Sequence, residues 1–261
     1  MAKATHMQDH FAQVAEHYRN VRTTDEAPIH YICQRLAERG CTRAADVGCG
    51  AGRYDLLLLQ KMPELHLLCI DRSVEMLRHL TEHLREAGID RFEPVQTGVD
   101  ELRLKDNSLD AVFTFNAIHH FDFPAFIRNA SRALRTRGQI FIYTRTPEQN
   151  AKSVWGQYFP GFLDKEQRLY SQDQMRTWVE ASGCVLSNVE TFQFTRRATV
   201  ARLLQQAHAR HYSTLSLYET QEFAEALQTF ERNIQSQCNS SDTVVWDDEN
   251  VLLVIESQPS N

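Results

Sequence analysis

The chain has 261 residues, a hydrophobic content of 42% and a formal net charge of −6, which is typical of a globular protein with a substantial core. No apolar run approaches the roughly 20 residues that a membrane-spanning helix needs, and the first residues lack the basic-then-apolar pattern of a secretory signal. The acidic balance argues against a broad phosphate-binding surface. We therefore expect a cytoplasmic protein that does not span a membrane.

The first half of the sequence predicts helices that alternate with short strands. One helix is expected to end near Asn20, and a second begins in the capping-box pattern of Thr23 and Glu26 and ends at Gly40. Strands are then predicted at 43–47, 65–70, 92–96, 110–115 and 139–144, and helices at 51–61, 73–87 and 123–134. This alternation predicts a parallel sheet that is covered by helices on both faces.

The last third of the sequence has a different order. It predicts a helix at 171–182, a strand at 185–194, a polar helical stretch over about 199–237 and a final apolar strand at 251–257. Two strands separated by a long insertion favour an antiparallel pair at one edge of the sheet. The insertion and the segment at 155–170 are the natural pieces of a lid over a substrate.

A glycine-rich loop, Asp46-Val47-Gly48-Cys49-Gly50-Ala51-Gly52, lies where the first core strand meets its helix. Glycines allow a tight turn and a close approach to a ligand, and the helix that follows offers unpaired N–H groups. The dinucleotide fingerprint GxGxxG would require a third glycine at the position of Arg53. The carboxylate of Asp46 suits a cationic aminoacyl group better than a pyrophosphate. A dinucleotide site and a structural turn without a ligand are the alternatives.

A second acid, Asp71, follows the next predicted strand, about 20 residues beyond the glycine loop. A carboxylate at this point can accept hydrogen bonds from both ribose hydroxyls of a nucleoside. The same residue could instead cap the helix that is predicted from Ser73. Taken together with the loop, Asp71 predicts a cofactor that carries a nucleoside.

These motifs resemble the class I S-adenosylmethionine-dependent methyltransferases of the small-molecule type, which are related to the ubiquinone and menaquinone biosynthesis group. Further matching stretches are Cys69-Ile70-Asp71-Arg72-Ser73, Asp106-Asn107-Ser108-Leu109-Asp110-Ala111-Val112 and Asn116-Ala117-Ile118-His119-His120-Phe121. The resemblance covers about 44–144. It implies an α/β fold, doubly wound and Rossmann-like, with a seven-stranded sheet whose last strand is antiparallel. It also implies S-adenosyl-L-methionine as the cofactor and S-adenosyl-L-homocysteine as the product.

The resemblance also implies which residues hold the cofactor. Asp46 is expected at the ammonium end, Asp71 at the ribose, and Asn116 near the sulfonium. The full set of expected cofactor residues is Asp46, Gly48, Cys49, Gly50, Gly52, Asp71, Arg72, Met76, Gly98, Val99 and Asn116. One position departs from the family pattern, because Gly98 stands where related proteins often carry an aspartate for the adenine amino group.

Catalytic and substrate residues are predicted less directly. A histidine after the fourth strand, His119 or His120, could remove a proton from the acceptor, although either could simply pack or cap the next helix. The lid segments supply the substrate candidates Tyr18, Arg22, Trp155, Tyr158 and Tyr212. No metal is expected, since the helical pair His79 and His83 lacks a third ligand at a suitable spacing.

The sequence thus predicts three regions: a helical lid at 1–42, a cofactor-binding core at 43–145, and a remainder of the core at 146–261 that carries a lid insertion at about 195–243. The predicted activity is in-line transfer of a methyl group to a small molecule, by a monomer or homodimer that does not bind nucleic acid. Transfer to a tRNA or other RNA base is one alternative, which the acidic charge disfavours. A cofactor-binding protein without catalysis is the other.

Overall fold

The computed structural model describes residues 23–238 and 242–257. The helix predicted to end near Asn20, and the substrate candidates Tyr18 and Arg22, lie outside these residues. The described chain divides into two compact units. The first comprises 23–144, 170–192 and 251–257, and the second comprises 145–169, 193–238 and 242–250.

Helices and strands alternate as the sequence predicts. The strands are β1 Arg43–Val47, β2 His66–Asp71, β3 Phe92–Gln96, β4 Leu109–Phe115, β5 Leu134–Thr144, β6 Cys184–Thr199 and β7 Thr243–Ser257. The helices are α1 Glu26–Ala37, α2 Arg53–Lys61, α3 Val74–Glu86, α4 Phe123–Ala133, α5 Pro147–Lys152, α6 Val154–Tyr158, α7 Phe162–Lys165, α8 Gln172–Ala181, α9 Val200–His208 and α10 Thr220–Gln235. Short 3-10 turns occupy Ile118–His120 and Ser213–Leu217.

The strands of the described residues form one seven-stranded sheet in the order β3-β2-β1-β4-β5-β7-β6. Strands β1 to β5 pair in parallel, and β7 pairs antiparallel with β5. The predicted fold class, a doubly wound α/β fold with an antiparallel last strand, is therefore confirmed. Because β1, β2 and β4 are parallel neighbours, the loops that follow them leave the same edge of the sheet, where ligands of such folds bind.

Apolar residues cover both faces of the sheet in the first unit. Along β4 and β5, neighbouring residues alternate between two separate core clusters, as the two-residue period of a strand requires. One cluster packs the sheet against α4 and α8, and the other packs it against α1, α2 and α3. Burial on both faces explains why these strands read as continuous apolar runs in the sequence.

The second unit has a core of its own, which is rich in aromatic side chains. Trp155 stacks on Phe230 at a centroid distance of 5.0 Å, and Phe159 contacts Phe230 at 5.1 Å. Helices α6, α9 and α10 supply most of this cluster. A polar stretch of the sequence therefore contains enough periodic aromatic and aliphatic residues to build an independent core.

The last two strands, β6 and β7, are longer than the sequence predicts. Strand β7 begins at Thr243 rather than at 251, and β6 continues to Thr199 rather than ending at 194. Three acids between Trp246 and Asn250 mask the apolar signal of β7, and along β6 half-buried residues alternate with exposed ones. The polar stretch predicted at about 199–237 is divided into α9, a 3-10 turn and α10. Among the described residues, no helix is both long enough and apolar enough to cross a membrane.

Candidate active site

The glycine loop between β1 and α2 is stabilised by hydrogen bonds within the chain itself. The N–H groups of Gly48 and Cys49 both donate to the carbonyl oxygen of Ile70, at 2.8 and 3.1 Å, and the N–H of Gly52 donates to the carbonyl oxygen of Cys49 at 3.2 Å. These donors are therefore unavailable to a ligand. A pyrophosphate site depends on such N–H groups, whereas a cationic group does not.

Asp71, at the end of β2, is bonded to the same loop. Its Oδ2 accepts from the N–H of Gly50 at 3.0 Å, and its Oδ1 accepts from the N–H of Ser73 at 2.9 Å. Burial raises the pKa of Asp71 above its ordinary value, although the two N–H donors act to lower it. The cap of α3 is Ser73, whose hydroxyl accepts from the N–H of Met76 at 3.3 Å. Asp71 is thus not the side chain that caps this helix.

The glycines of the loop differ in what surrounds them. A Cβ on Gly48 would lie 2.6 Å from the Cβ of Ala117 and 2.9 Å from a ring carbon of Phe121, and one on Gly52 would lie 2.9 Å from the Leu80 side chain. Packing within the protein therefore accounts for these two glycines. A Cβ on Gly50 would meet no atom within 4 Å. Gly50 is consequently the loop glycine with space above it for a ligand.

Asp46, at the end of β1, is 1% exposed, and Asp55, in the first turn of α2, is 0% exposed. Among the described residues, no donor reaches Oδ1 of Asp46 or Oδ2 of Asp55. Burial, followed by the charge of Asp55, raises the pKa of Asp46 well above its ordinary value. Burial likewise raises the pKa of Asp55 to about 7. The loop therefore adjoins buried carboxyl oxygens that lack a donor, and these suit a cationic group.

Asn116 follows β4 with a left-handed backbone, at φ 54°, which few residues other than glycine, asparagine and aspartate adopt readily. Its N–H donates to the carbonyl oxygen of Tyr143 at 2.7 Å, and its Nδ2 donates to the hydroxyl of Tyr54 at 3.4 Å. Tyr54 in turn stacks on Phe115, with ring centroids 4.5 Å apart. Since the Asn116 N–H is bonded to the protein, its carbonyl is the backbone group left to meet a ligand amino group.

Comparisons with known proteins agree with this arrangement. Residues 44–138 match the family described as "Methyltransferase domain". A malonyl-[acyl-carrier protein] O-methyltransferase of Dechloromonas aromatica is 32% identical over 121 residues, which are 44% of this chain and 43% of that protein. A demethylmenaquinone methyltransferase of Listeria monocytogenes is 26% identical over 171 residues, which are 64% of this chain and 69% of that protein.

The fold agrees as well. A solved geranyl diphosphate methyltransferase in complex with S-adenosylmethionine superposes with a TM-score of 0.57 and 15% identity, over 89% of this chain and 85% of that one. Residues 44–138 form a methyltransferase domain. This match confirms, over these residues, the resemblance to methyltransferases that the motifs predict. The chain spans less than half the length of the malonyl-[acyl-carrier protein] relative.

The two histidine candidates of the methyltransferase domain lie in the 3-10 turn after β4. His119 is half-buried and His120 is exposed, and their rings are 4.1 Å apart. The Nδ1 atom of His119 is shielded from solvent. In the next residues, the carbonyl oxygen of Phe121 accepts a hydrogen bond from the hydroxyl of Tyr170 at 2.7 Å, which holds the end of the turn in place.

The residues expected beside the adenine differ in exposure and in packing. Met76 is buried at 2% exposure and Arg72 is exposed. A Cβ on Gly98 would meet no atom within 4 Å, and Val99 packs against the core cluster. The connection from β3 to β4 forms turns instead of a helix.

Next to that connection lies a cavity of about 520 Å³. Its lining combines apolar side chains from β2 and β3 with polar and basic ones. The lining residues are Arg43, Leu68, Ile70, Glu93, Val95, Thr97, Leu102, Arg103, Leu104, Lys105, Ser108 and Arg135. Over residues 23–238 and 242–257, no group of three or more histidine, cysteine, aspartate or glutamate side chains is placed to hold a metal.

The substrate candidates that the structure describes belong to the second unit. The ring of Trp155 lies 5.9 Å from that of Tyr212 and 4.8 Å from that of His211. Tyr158 is half-buried, and its carbonyl oxygen accepts from Nδ2 of Asn233 at 2.8 Å. Trp155 and Tyr212 thus share one aromatic cluster, in which Trp155 is almost fully buried.

Sequence reasoning missed three residues next to the predicted site. Asp55 reads as one charge in an ordinary helix, Tyr54 as a core aromatic, and Phe121 as the residue after a histidine pair. The only signal for Asp55 is an acid directly before the apolar run at 56–59. An acid at that place in a buried helix requires a partner or a proton, which makes it a candidate for function.

Proposed function

We propose that this chain is an S-adenosylmethionine-dependent methyltransferase that transfers a methyl group to a small molecule. The observation that supports this most strongly is the chemistry of the glycine loop. The N–H groups of Gly48, Cys49, Gly50 and Gly52 are all bonded within the chain. The acceptors next to the loop are backbone carbonyls and the carboxyl groups of Asp46 and Asp71. Such a site favours a cationic aminoacyl tail and a ribose over a pyrophosphate.

The residues present fit this cofactor. The buried carboxyl group of Asp46 favours the ammonium of the methionine end nearby, and the space above Gly50 leaves room for the chain beside it. Asp71 uses one lone pair of each oxygen on the backbone, so that further lone pairs are left to accept ribose hydroxyls. The bound cofactor supplies a sulfonium carbon that is reactive towards nucleophiles.

The protein's own contribution is to align the acceptor and to exclude water. We assign the removal of an acceptor proton to His119, because it follows β4 and its shielded Nδ1 leaves Nε2 as the ring atom that could reach a substrate. In the second unit, Trp155, Tyr158 and Tyr212 are the candidates for acceptor binding. A small-molecule acceptor agrees with the names of one relative, a demethylmenaquinone methyltransferase, and one structural neighbour, a geranyl diphosphate methyltransferase, whereas another relative is named for malonyl-[acyl-carrier protein]. A cytoplasmic location and a monomeric or homodimeric state stay predictions from the sequence.

Isothermal titration with S-adenosylhomocysteine tests the cofactor. Asp71→Ala should weaken binding at least tenfold, which corresponds to about 1.4 kcal/mol, because it removes the expected ribose acceptor. The matched control is Asp106→Ala, an exposed acid that pairs with Arg132 and should bind as the unchanged protein does. Stabilisation by NAD in place of S-adenosylhomocysteine would contradict the proposal.

Turnover tests the activity itself. Incubation of the protein with methyl-labelled cofactor and a fractionated small-molecule extract should label a compound of low molecular mass. Substitution of His119 by Gln should lower kcat with little change in the KM for the cofactor, whereas His120→Gln should leave both nearly unchanged. Binding without labelling of any fraction would instead favour a protein that binds the cofactor and lacks catalysis.

A further inference from the structure

The carboxyl groups of Asp46, at the end of β1, and Asp55, in the first turn of α2, are brought together around Cys69 of β2. Asp46 is the register partner of Cys69, and the Cys69 thiol contacts the carboxyl of Asp55. Both aspartates are essentially inaccessible to solvent. Oδ1 of Asp55 accepts from the thiol of Cys69 at 3.4 Å, and no donor among the described residues reaches its Oδ2 or Oδ1 of Asp46. Two adjacent carboxylates that are buried in this way cannot both be ionised without a large electrostatic cost.

The groups around the pair relieve only part of that cost, because burial outweighs the Cys69 thiol and the backbone N–H that act to lower the pKa of Asp55. Asp71 and Cys69 act on the pair from β2, and Cys49 is coupled to it from the loop. Asp71 adds negative charge, and burial raises the pKa values of both thiols, which therefore stay neutral. The pair thus lies in a region where a proton is retained and where an incoming positive charge is favoured.

We infer that Asp46 and Asp55 share a proton in the free protein, and that the ammonium group of the cofactor's aminoacyl end displaces this proton when it binds. Asp55 is then a positioning residue. Together with burial, it favours the neutral form of the Asp46 carboxyl before the cofactor arrives, and it leaves Asp46 able to ionise next to an ammonium group afterwards. This inference rests on the proposed function, and it adds that cofactor affinity depends on pH through this pair.

The direction of that dependence follows from linkage. If the free protein holds the proton and the complex does not, binding releases a proton and the affinity rises with pH. The rise should extend over roughly pH 5.5 to 7.5, because burial raises the pKa of Asp55 to about 7. Over this range the aminoacyl group of S-adenosylhomocysteine keeps its charges.

The experiment is isothermal titration of the full chain with S-adenosylhomocysteine at pH 6.5, in two buffers with different enthalpies of ionisation. A heat that depends on the buffer, with the sign of proton release and a magnitude of up to about one proton per ligand, is the expected result. The probe 5′-methylthioadenosine has the same nucleoside without the aminoacyl tail. It should bind with no release of a proton.

The variant Asp55→Asn keeps the shape of the side chain and removes the shared proton. Burial still acts on Asp46 in this variant, but the charge of Asp55 is gone and the new amide can donate a hydrogen bond to Asp46. The variant should therefore release fewer protons on binding S-adenosylhomocysteine, and its affinity should vary less with pH than that of the unchanged protein. Asp106→Asn, remote from the pair, should release a proton as the unchanged protein does.

Three outcomes would count against the inference. Binding of S-adenosylhomocysteine with a buffer-independent heat overturns the inference and leaves the proposed function intact. Proton release that is undiminished in Asp55→Asn overturns the role of Asp55. Failure of both S-adenosylhomocysteine and 5′-methylthioadenosine to bind overturns the proposed function, and the inference with it.

Discussion

The carboxylate of Asp71 accepts a hydrogen bond from the N–H of Gly50 across 3.0 Å. This bond joins the end of β2 to the loop that follows β1. The N–H of Gly50 is therefore already bonded, although the space beside this residue is open. The acid expected to bind the ribose therefore also fixes the shape of the glycine loop, so that a change at Asp71 should affect both stability and binding.

The substitution Asp71→Asn tests the effect on stability. An amide can accept from either Gly50 or Ser73 but must turn its NH₂ towards the other N–H group, so one buried donor loses its partner. We expect the free energy of unfolding to fall by about 1–2 kcal/mol, as measured by urea denaturation without ligand. The control Asp106→Asn should unfold within about 0.5 kcal/mol of the unchanged protein. Equal stability of the two variants would show that the bond to Gly50 contributes little.

The loop glycines should differ in their tolerance of alanine. Gly48→Ala combines a left-handed backbone, at φ 77°, with a Cβ that lies 2.6 Å from the Cβ of Ala117. We expect a loss of about 3 kcal/mol in the free energy of unfolding.

Gly50→Ala, at φ 55° with open space around the new Cβ, should cost only about 1 kcal/mol. Because the new methyl group enters the space assigned to the ligand, this variant should bind S-adenosylhomocysteine more weakly. Denaturation and titration of both variants provide the measurements. A reversed order of stability would contradict the packing explanation.

The stability of the protein without ligand should depend on pH through Asp55. Burial raises the pKa of Asp55 to about 7, whereas the unfolded chain ionises near its ordinary value of 3.8. The unfolded state therefore loses its proton first, and the contribution of this group falls as the pH rises from about 4 towards 7.

The substitution Asp55→Asn removes this fall in stability with rising pH. The variant should gain, relative to the unchanged protein, on the order of 2 kcal/mol between pH 5 and pH 8. Urea denaturation of both proteins at these two pH values measures the difference, in which the contributions of other groups cancel. Parallel pH profiles would mean that Asp55 is ionised in the folded state.

A fourth prediction concerns the second unit. Burial acts to raise the pKa of Glu166, but the hydrogen bonds and charge of Arg168, with the hydroxyl of Thr214, outweigh it and hold this pKa below its ordinary value. Glu166→Gln should lower the free energy of unfolding by about 2–3 kcal/mol near pH 7. In the unchanged protein this contribution should be lost as the pH falls below about 4.5.

The matched control for this prediction is Glu222→Gln. Glu222 pairs with Lys165 at 2.8 Å on the surface of the same unit, and its loss should cause no measurable change in stability. Thermal denaturation of the two variants side by side provides the test. If both substitutions were silent, the buried ion pair would be unimportant for the second unit.

The sequence predicts the fold because the strands of the first unit are buried on both faces. Their apolar runs stand out against the amphipathic helices, and the loop glycines mark the turn after β1. The sequence predicts the extent of the last two strands poorly. The beginning of β7, from Thr243 to Asn250, contains three acids, and polar residues on a half-exposed strand do not differ in pattern from a loop.

The candidate site divides in the same way. The residue types and spacing from Asp46 to Gly52, with Asp71 on the next strand, were enough by themselves to predict a methyltransferase domain. Only the tertiary structure decided that the loop donors are satisfied, that Ala117 and Phe121 fill the space beside Gly48, and that Asp46 meets Asp55 away from water. The physical reason is the distance along the chain between the residues that interact. A turn or a strand depends on neighbours in the chain, whereas a buried charge or a used donor depends on residues that strand register and helix packing bring together.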